Sequence, residues 1–220
     1  RFCAHFIEKK LGLNPISLLF VSAVIACLGL NAVAAIQSFG PAVGAVLVYS
    51  IGKTFFWPTM LAVVGDRFPA TGAVAMSLMG GIGMMSAGLI GSAGLGYFKD
   101  RYAAEELKSA DEALHAEWVS EGDSSKFLAF EAVQPIDPKR LEDVKKVAVE
   151  ERSEAEQAVV DADIRGNRST LKTDSLIPAA MAVIYLLLFF YFRASGGYKA
   201  VRIDENETLT RGNAAGTGES

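Results

Sequence analysis

The sequence predicts an all-α membrane protein, with four transmembrane helices and a hydrophilic helical insertion before the last of them. Hydrophobic residues make up 51% of the 220 positions, but the charged residues are unevenly distributed. Residues 11–52, 68–98 and 175–192 contain no Asp, Glu, Lys or Arg, whereas residues 99–174 are rich in them. Uncharged apolar runs of 18 or more residues are typical of membrane-spanning helices. A soluble domain would distribute its charges along every helix.

The first three spans are predicted at residues 15–37, 41–65 and 72–98, within a membrane domain over residues 1–98. Pro15 suits the first turn of a helix, because that position needs no N–H for hydrogen bonding. The short turn "SFGP" makes the second span return antiparallel to the first. The third span is longer than a bilayer requires, so we expect it to tilt.

Residues 99–174 are predicted to form a helical hairpin outside the membrane. Apolar residues recur at steps of three or four in its first half, and more weakly in its second half. The first stripe consists of Ala103, Leu107, Ala110, Leu114 and Trp118, and the second of Leu141, Val144, Ala148, Ala155 and Val159. Asp137 as N-cap and Pro138 at the first helical position predict where the second helix begins.

The last span is predicted at 175–195, where "FFYFR" combines interfacial aromatics with a basic stop. Residues 196–220 are polar and glycine-rich, so we expect a disordered tail. Basic residues flank the first and last spans, and Arg67 follows the second, which predicts that both ends of this segment are cytoplasmic. Lys99 and Arg101 argue for the opposite orientation, but long loops translocate largely regardless of charge. The expected location is a plasma membrane or a bacterial inner membrane.

A lysine, Lys53, lies halfway along the second predicted span. A charge at the bilayer centre costs about 2.5–3.5 kcal/mol on insertion scales, so it needs a wet cavity or a carboxylate partner. Because the spans contain no acid, the partner must come from other sequence, a substrate or water. Tyr49 and Trp57 share its helix face at steps of four, and Thr54 flanks that face. These four residues are the predicted solute site, with Asn31 as a further member or as a polar contact between helices. A structurally paired lysine is the alternative.

Glycines and a proline predict how the second and third spans pack and bend. Small-residue rows in the third span let helix backbones approach closely, and the predicted packing positions are Gly83, Gly88, Gly91 and Gly96. Pro58 removes a helical hydrogen bond, which favours a kink that is either a hinge or static. The glycine run is not a nucleotide loop, since no strand precedes it and no Lys-Ser/Thr follows it.

The sequence contains no pattern that indicates an enzyme active site or a metal site. His5 and His115 are far apart in sequence, and Cys3 and Cys27 lack the spacing of a metal site or a disulfide framework. The spans carry no constellation of His, Asp and Glu. We therefore expect no enzyme activity, no metal, no cofactor and no nucleic-acid partner.

The motif "GDRFPATGA", followed by a glycine-rich span that ends in "GYFKD", resembles the link between the tenth and eleventh helices of major facilitator superfamily transporters. "RFCAHFIEKKLG" is similar to a degenerate copy of that family's basic loop between helices eight and nine, with Glu8-Lys9-Lys10 in place of the usual acid–base pair. The resemblance covers residues 1–98 and 174–195, which would be helices nine to twelve, and leaves out the insertion.

This resemblance implies twelve helices in two halves that rock about a central cavity lined by the tenth helix. Arg1, Asp66 and Arg67 would then form inner-gate contacts. The chain begins with Arg1 and has no signal peptide, so we expect it to be part of a longer protein that supplies the remaining eight helices.

The leading hypothesis is part of a secondary transporter that moves a small polar solute across a lipid bilayer by alternating access. The charge of Lys53 favours an anionic solute, and the absence of a membrane-embedded acid leaves a facilitator or exchanger open. The alternative is a membrane-anchored sensor or binding protein that uses the insertion. Lys53 discriminates between the two, because a mere anchor needs no charge at mid-bilayer.

Overall fold

The computed structural model describes residues 14–120, 122 and 124–201, and these residues fold almost entirely into helices. The described residues contain no named β-strand, only two isolated antiparallel bridges, Val119 with Ile136 and Ser125 with Val133. Four helices are long and apolar enough to cross a membrane, so the expected membrane-embedded, all-α architecture is confirmed at that level.

Nine α-helices follow one another along the described chain. They are α1 Pro15–Ala35, α2 Phe39–Thr54, α3 Phe56–Arg67, α4 Gly72–Met85, α5 Ala93–Ala110, α6 Glu112–Trp118, α7 Pro138–Lys146, α8 Glu154–Asp174 and α9 Leu176–Ala194. A 3₁₀ turn at Pro69–Thr71 precedes α4, a π-helical segment at Ser86–Ser92 joins α4 to α5, and a second 3₁₀ turn lies at Val149–Glu151.

Helix α1 is the most buried of the spanning helices. Asn14 caps it by accepting a 2.7 Å hydrogen bond from the Ser17 N–H, and Pro15 occupies the first helical position as predicted. Helices α2, α3 and α9 pack around it, and α8 contacts it as well. Its apolar residues are distributed around its whole circumference, which is typical of a helix enclosed by others.

Two glycines bring α1 and α2 into backbone contact. A Cβ placed on Gly29 would lie 2.5 Å from the Tyr49 backbone nitrogen, and one placed on Gly52 would lie 2.6 Å from the Ala26 nitrogen. Only glycine permits such an approach without moving the neighbouring backbone. This contact fixes the α2 face that carries Lys53 relative to α1.

The second span, expected as one helix over 41–65, is broken at Phe55 into α2 and α3. Pro58 explains the break. It has no N–H to donate to the carbonyl of Thr54 four residues earlier, and its ring crowds that carbonyl. The helix therefore ends at Thr54 and restarts at Phe56, just after the lysine.

The third span does not end at residue 98 as expected. The helical chain from Pro69 continues without interruption to Ala110, well into the hydrophilic insertion. It continues because residues beyond the apolar run still bury a face: Ala103, Ala104 and Leu107 are almost completely buried. The membrane span and the insertion are thus joined by a continuous helix rather than by a loop.

The insertion was predicted to be a hairpin of two helices, and this prediction is wrong about which helices pair. The long antiparallel arms are α5 and α8, and a Cβ on Gly166 of α8 would lie 2.5 Å from the Ala103 nitrogen of α5. Each predicted helix is divided by a capping residue, Asp111 in the first and Ser153 in the second. Asp137 caps α7 as predicted.

The core of the insertion contains only some of the predicted apolar residues. Its buried members are Ala103, Leu107, Trp118, Ile136, Leu141, Val144, Val159, Val160 and Ala162, with Leu114 packed at the edge. Three positions of the predicted stripes, Ala110, Ala148 and Ala155, are exposed instead, because they lie at or just beyond helix ends.

The fourth span is close to its prediction of 175–195. Helix α9 begins after a one-residue break at Ser175, three residues before Pro178, so this break repeats the pattern seen at Phe55 and Pro58. The tail, expected to be disordered from residue 196, instead packs over residues 196–201 against the end of α3. The remainder of the tail lies outside the described residues.

Candidate functional site

Lys53 lies in the last turn of α2, immediately before the helix break, and its side chain is exposed in this chain. The ammonium nitrogen lies 5.8 Å from the centre of the Tyr49 ring, so the predicted pairing of these two residues is present. Within the described part of the chain, no carboxylate lies at salt-bridge distance from Lys53. Among these residues, its charge therefore has only an aromatic face as a partner.

Trp57 lies on the other side of the break, in the first turn of α3, and is 47% exposed. A Cβ on Gly83 of α4 would lie 3.3 Å from the Trp57 ring. The indole thus packs against the third span at Gly83. Tyr49 and Lys53 lie on α2 and Trp57 lies on α3, so the break interrupts the single helix face predicted for these three residues, and the site that they would form stays a prediction.

Two other predicted site residues are bonded within their own helices. The Thr54 hydroxyl donates to the Ser50 carbonyl at 2.7 Å, and the Asn31 amide donates to the Cys27 carbonyl at 2.9 Å. Both side chains remain exposed, so their acceptor oxygens stay accessible. A direct solute contact for these two residues stays a prediction.

The break leaves two polar groups without their usual partners, which sequence reasoning missed. The Thr54 carbonyl receives no hydrogen bond from Pro58, which lacks an N–H. Thr59, one residue further, is 2% exposed, and its hydroxyl oxygen has no hydrogen-bond partner within the described residues. A buried hydroxyl without a partner is rare in proteins, because its desolvation is not compensated. The proline four residues after Thr54 was the signal that could have predicted the break, whereas nothing in the sequence singles out Thr59.

The predicted gate residues are engaged by the end of the chain. Asp66 accepts a 3.0 Å hydrogen bond from the Tyr198 hydroxyl, and Arg67 donates to the Lys199 carbonyl at 3.1 Å. The Arg67 guanidinium lies over the Phe192 ring, 4.6 Å from its centre. The third gate residue, Arg1, lies outside the described residues.

The predicted packing glycines have different surroundings. Gly83 faces Trp57, as described above. A Cβ added to Gly91 would lie 3.6 Å from the carbonyl oxygen of Ser86, which belongs to the same helical stretch. Within the described part of the chain, an added Cβ on Gly88 or Gly96 would meet no neighbouring side chain or helix within 4 Å. Packing at these last two positions stays a prediction, because it requires helices other than those described.

The insertion holds one buried ion pair and one perturbed histidine. Asp163 is almost completely buried and accepts from the Lys145 ammonium at 2.5 Å and from the Asn167 amide at 3.0 Å. Burial, followed by the charge of nearby Lys108, lowers the pKa of His115 below its ordinary value, and Glu112 opposes this shift. These groups stabilise the insertion and lie apart from the helix break in the chain.

An open cavity of about 310 Å³ lies where α5 meets the loop that precedes α7. Tyr97 forms its floor and donates to the Glu131 carbonyl at 2.8 Å, while the Arg101–Glu105 ion pair lines one wall. The rings of Tyr97 and Phe130 are 5.7 Å apart. The cavity combines aromatic surface with charges of both signs.

Among the described residues, no group of three or more His, Cys, Asp or Glu side chains could hold a metal ion. Comparisons with protein-family models, with curated proteins and with solved structures gave no match to this chain. The resemblance to major facilitator superfamily transporters therefore remains a hypothesis carried by the motifs in the sequence.

Proposed function

We propose that this chain is part of a secondary transporter that moves a small anionic solute along the broken second span, with Lys53 as the principal binding residue. The observation that carries the proposal is the position of Lys53 at a helix break without a carboxylate partner in the described part of the chain.

The depth of Lys53 supports a water-accessible route. Lys53 is the midpoint of the helical stretch Phe39–Arg67, equally distant in sequence from both ends. At 1.5 Å per residue, about 21 Å of helix separates it from either end, more than half the thickness of a hydrocarbon core of about 30 Å. The lysine side chain is too short to reach an interface over that distance. The charge of Lys53 has a lower free energy in a polar pathway inside the protein than in the hydrocarbon of the bilayer.

The break also leaves backbone and side-chain polar groups without their usual partners, close to Lys53 in the chain. Discontinuous helices are used by transporters to present unpaired backbone groups and helix ends to solutes near the middle of the bilayer. Here the Thr54 carbonyl and the Thr59 hydroxyl are the groups without their usual partners among the described residues. A cation beside Tyr49 and Trp57 suits an anion that also has a hydrogen-bond donor and a small apolar part.

Major facilitator superfamily architecture would complete the site. In that arrangement the eight further helices enclose the exposed faces of α2 and α4, and the two halves of the protein rock about the solute. Several large apolar side chains on these helices are exposed in this chain, including Leu47, Ile51, Val74 and Leu78. Lipid and additional helices are both suitable partners for such surfaces. On the positive-inside rule, both ends of the segment are cytoplasmic and the insertion is outside.

The test is uptake of a panel of small anions, cations and neutral solutes into proteoliposomes that contain the full-length protein. We expect uptake of an anion, and we expect Lys53→Ala to raise its KM by about tenfold or more. A hydrogen bond to a charged group contributes about 1.5–3 kcal/mol, and about 1.4 kcal/mol corresponds to a factor of ten. Lys53→Arg should retain part of the activity. Lys139→Ala, in the exposed first turn of α7, is the matched control and should be unchanged.

A second measurement tests the pathway without knowledge of the solute. In a variant whose native Cys3 and Cys27 are replaced by serine, Lys53→Cys should react with a membrane-impermeant thiosulfonate reagent. Unchanged uptake kinetics in a correctly inserted Lys53→Ala protein, or a cysteine at position 53 that reacts only with lipid-soluble reagents, would refute the proposed site.

The insertion cavity favours a second candidate function, a membrane-anchored sensor or binding protein. The cavity lies on the insertion, and its lining of Tyr97, Phe130, Arg101 and Glu105 is suited to a small ligand. A sensor would bind a small ligand at this cavity, measured by isothermal titration calorimetry, and would show no uptake of any solute. Under this alternative, Lys53→Ala would leave ligand binding unchanged.

A further inference from the structure

We propose that Gly196–Val201 is a reversible strap, which ties the end of α9 to the end of α3 and restrains the separation of these two helix ends. The proposal goes beyond solute binding and concerns the conformational cycle. It rests on contacts between two segments that are far apart in sequence.

The chain reverses direction immediately after α9. Gly196 and Gly197 have φ values of +88° and +93°, a backbone conformation that favours glycine. The Gly197 N–H donates to the Phe192 carbonyl at 2.7 Å, which ends the helix. This double-glycine turn directs Tyr198 and the residues after it back toward α3. It also provides a point at which the strap can swing without moving α9.

Three hydrogen bonds then fasten the strap to two consecutive residues of α3. The Tyr198 hydroxyl donates to the Asp66 carboxylate at 3.0 Å, and the Val201 N–H donates to the Asp66 carbonyl at 2.8 Å. Arg67 donates to the Lys199 carbonyl at 3.1 Å. The strap thus uses both the side chain and the backbone of the predicted gate residue Asp66.

Two aromatic rings hold the guanidinium of Arg67. It lies 4.6 Å from the centre of the Phe192 ring and 5.8 Å from that of Tyr198, and the two rings pack edge to face at 5.4 Å. Phe192 belongs to α9, whereas Tyr198 belongs to the strap. Arg67 therefore links α3 to both the last span and the strap through contacts that a rigid-body separation would break.

The composition of the strap indicates that it opens reversibly. Apart from the half-buried Tyr198, its residues are exposed, and its attachments are a few polar contacts rather than a buried apolar core. Ordering six residues costs conformational entropy that opposes these contacts. Since the strap bridges α3 and α9, any motion that separates their ends must first release it. The strap is thus a lock on the separation of these two helix ends.

Distance measurements by pulsed electron paramagnetic resonance test the lock on the full-length protein in nanodiscs. Nitroxide labels at Ala70, in the 3₁₀ turn between α3 and α4, and at Ala200, in the strap, report the separation of that turn from the strap. We expect one narrow, short distance in the otherwise native protein. The double variant Arg67→Gln/Tyr198→Phe should lose this short-distance peak and acquire a broader, longer one. Lys199→Gln should retain the peak, because the bond from Arg67 uses only the backbone carbonyl of Lys199.

The outcomes separate this proposal from the transport proposal. Lys53→Ala should leave the short-distance peak intact, because Lys53 lies in α2 and the strap is fastened to the end of α3. An unchanged peak in the double variant would overturn the lock, and so would a broad distribution in the protein with the native strap. Loss of the peak supports the lock even if no solute is transported.

Discussion

Substituting Gly166 by alanine should separate the two long arms of the insertion. Gly166 lies on α8 where it crosses α5, and an added Cβ would be 2.5 Å from the Ala103 nitrogen, 2.6 Å from its Cα and 2.9 Å from the Tyr102 carbonyl carbon. All three atoms belong to the backbone of α5. No side chain can rotate away to make room, so the helices themselves must move apart.

Two effects of opposite sign determine the magnitude. Replacing a helical glycine by alanine gains about 1 kcal/mol from helix propensity. Forcing a methyl group into a closely packed contact costs about 1–3 kcal/mol, and this site lies at the upper end because both sides of the contact are backbone. We therefore expect a net loss of about 1–2 kcal/mol, equivalent to a decrease in Tm of about 4–16 °C for a unit the size of the insertion, residues 99–174.

Thermal unfolding followed by Trp118 fluorescence measures this loss. Trp118 is buried in the core of the insertion, and a Trp57→Phe background leaves it as the only tryptophan of the chain. Ile164→Ala, at an exposed position on the same helix, is the control and should change Tm little.

A second-site variant makes the prediction sharper. Ala103→Gly should not restore the stability of Gly166→Ala, because the clash is with the backbone of residue 103 and not with its methyl group. Rescue by Ala103→Gly, or a Gly166→Ala protein as stable as the native one, would refute the reasoning.

Two further predictions concern charges in the insertion. Lys145→Ala should destabilise the insertion by about 1–3 kcal/mol, because Asp163 loses its ion-pair partner. This cost is below that of breaking a fully buried ion pair, since the Lys145 side chain is 38% exposed. Lys146→Ala, fully exposed, should leave the unfolding midpoint unchanged, and equal midpoints for the two variants would contradict this prediction. The pKa of His115 is lower in the folded state than in the unfolded state, so as pH falls this histidine is protonated first in the unfolded state. The free energy of unfolding should therefore decrease as pH falls through about 6.5. Urea unfolding at pH values of about 7.5 and 5.5, on either side of the ordinary histidine pKa, would measure this decrease. In a His5→Gln background, His115→Gln should abolish it.

Local patterns in the sequence were sufficient for the spans and for some helix ends. Long uncharged runs predicted four apolar helices, and the Asp137–Pro138 pair predicted the start of α7. These signals depend only on neighbouring residues, namely hydrophobicity over one helix length and the capping of free N–H groups. The candidate site could be proposed from the sequence for the same reason, since an isolated lysine in an apolar run is easy to recognise.

Features that depend on distant parts of the chain could not be predicted in this way. The contact of Gly29 with Tyr49 and the strap from Tyr198 to Asp66 join residues on different elements, and no local pattern marks either partner. The end of the helix that contains the third span was misplaced because hydropathy registers the loss of apolar residues after position 98, whereas helical structure continues to Ala110, with one face still buried. Pro58 predicted that the second span would bend. The break lies at Phe55, before the proline, because the hydrogen bond that Pro58 cannot make would have ended at the Thr54 carbonyl.

The uninterrupted helix from Pro69 to Ala110 has a practical consequence for imaging. A membrane protein of this size offers single-particle electron microscopy few features with which to align particles in a detergent micelle. The insertion is joined to the apolar helices through continuous helical structure, so it can serve as a built-in fiducial mark. An antibody fragment raised against α7 would enlarge that mark without touching the micelle.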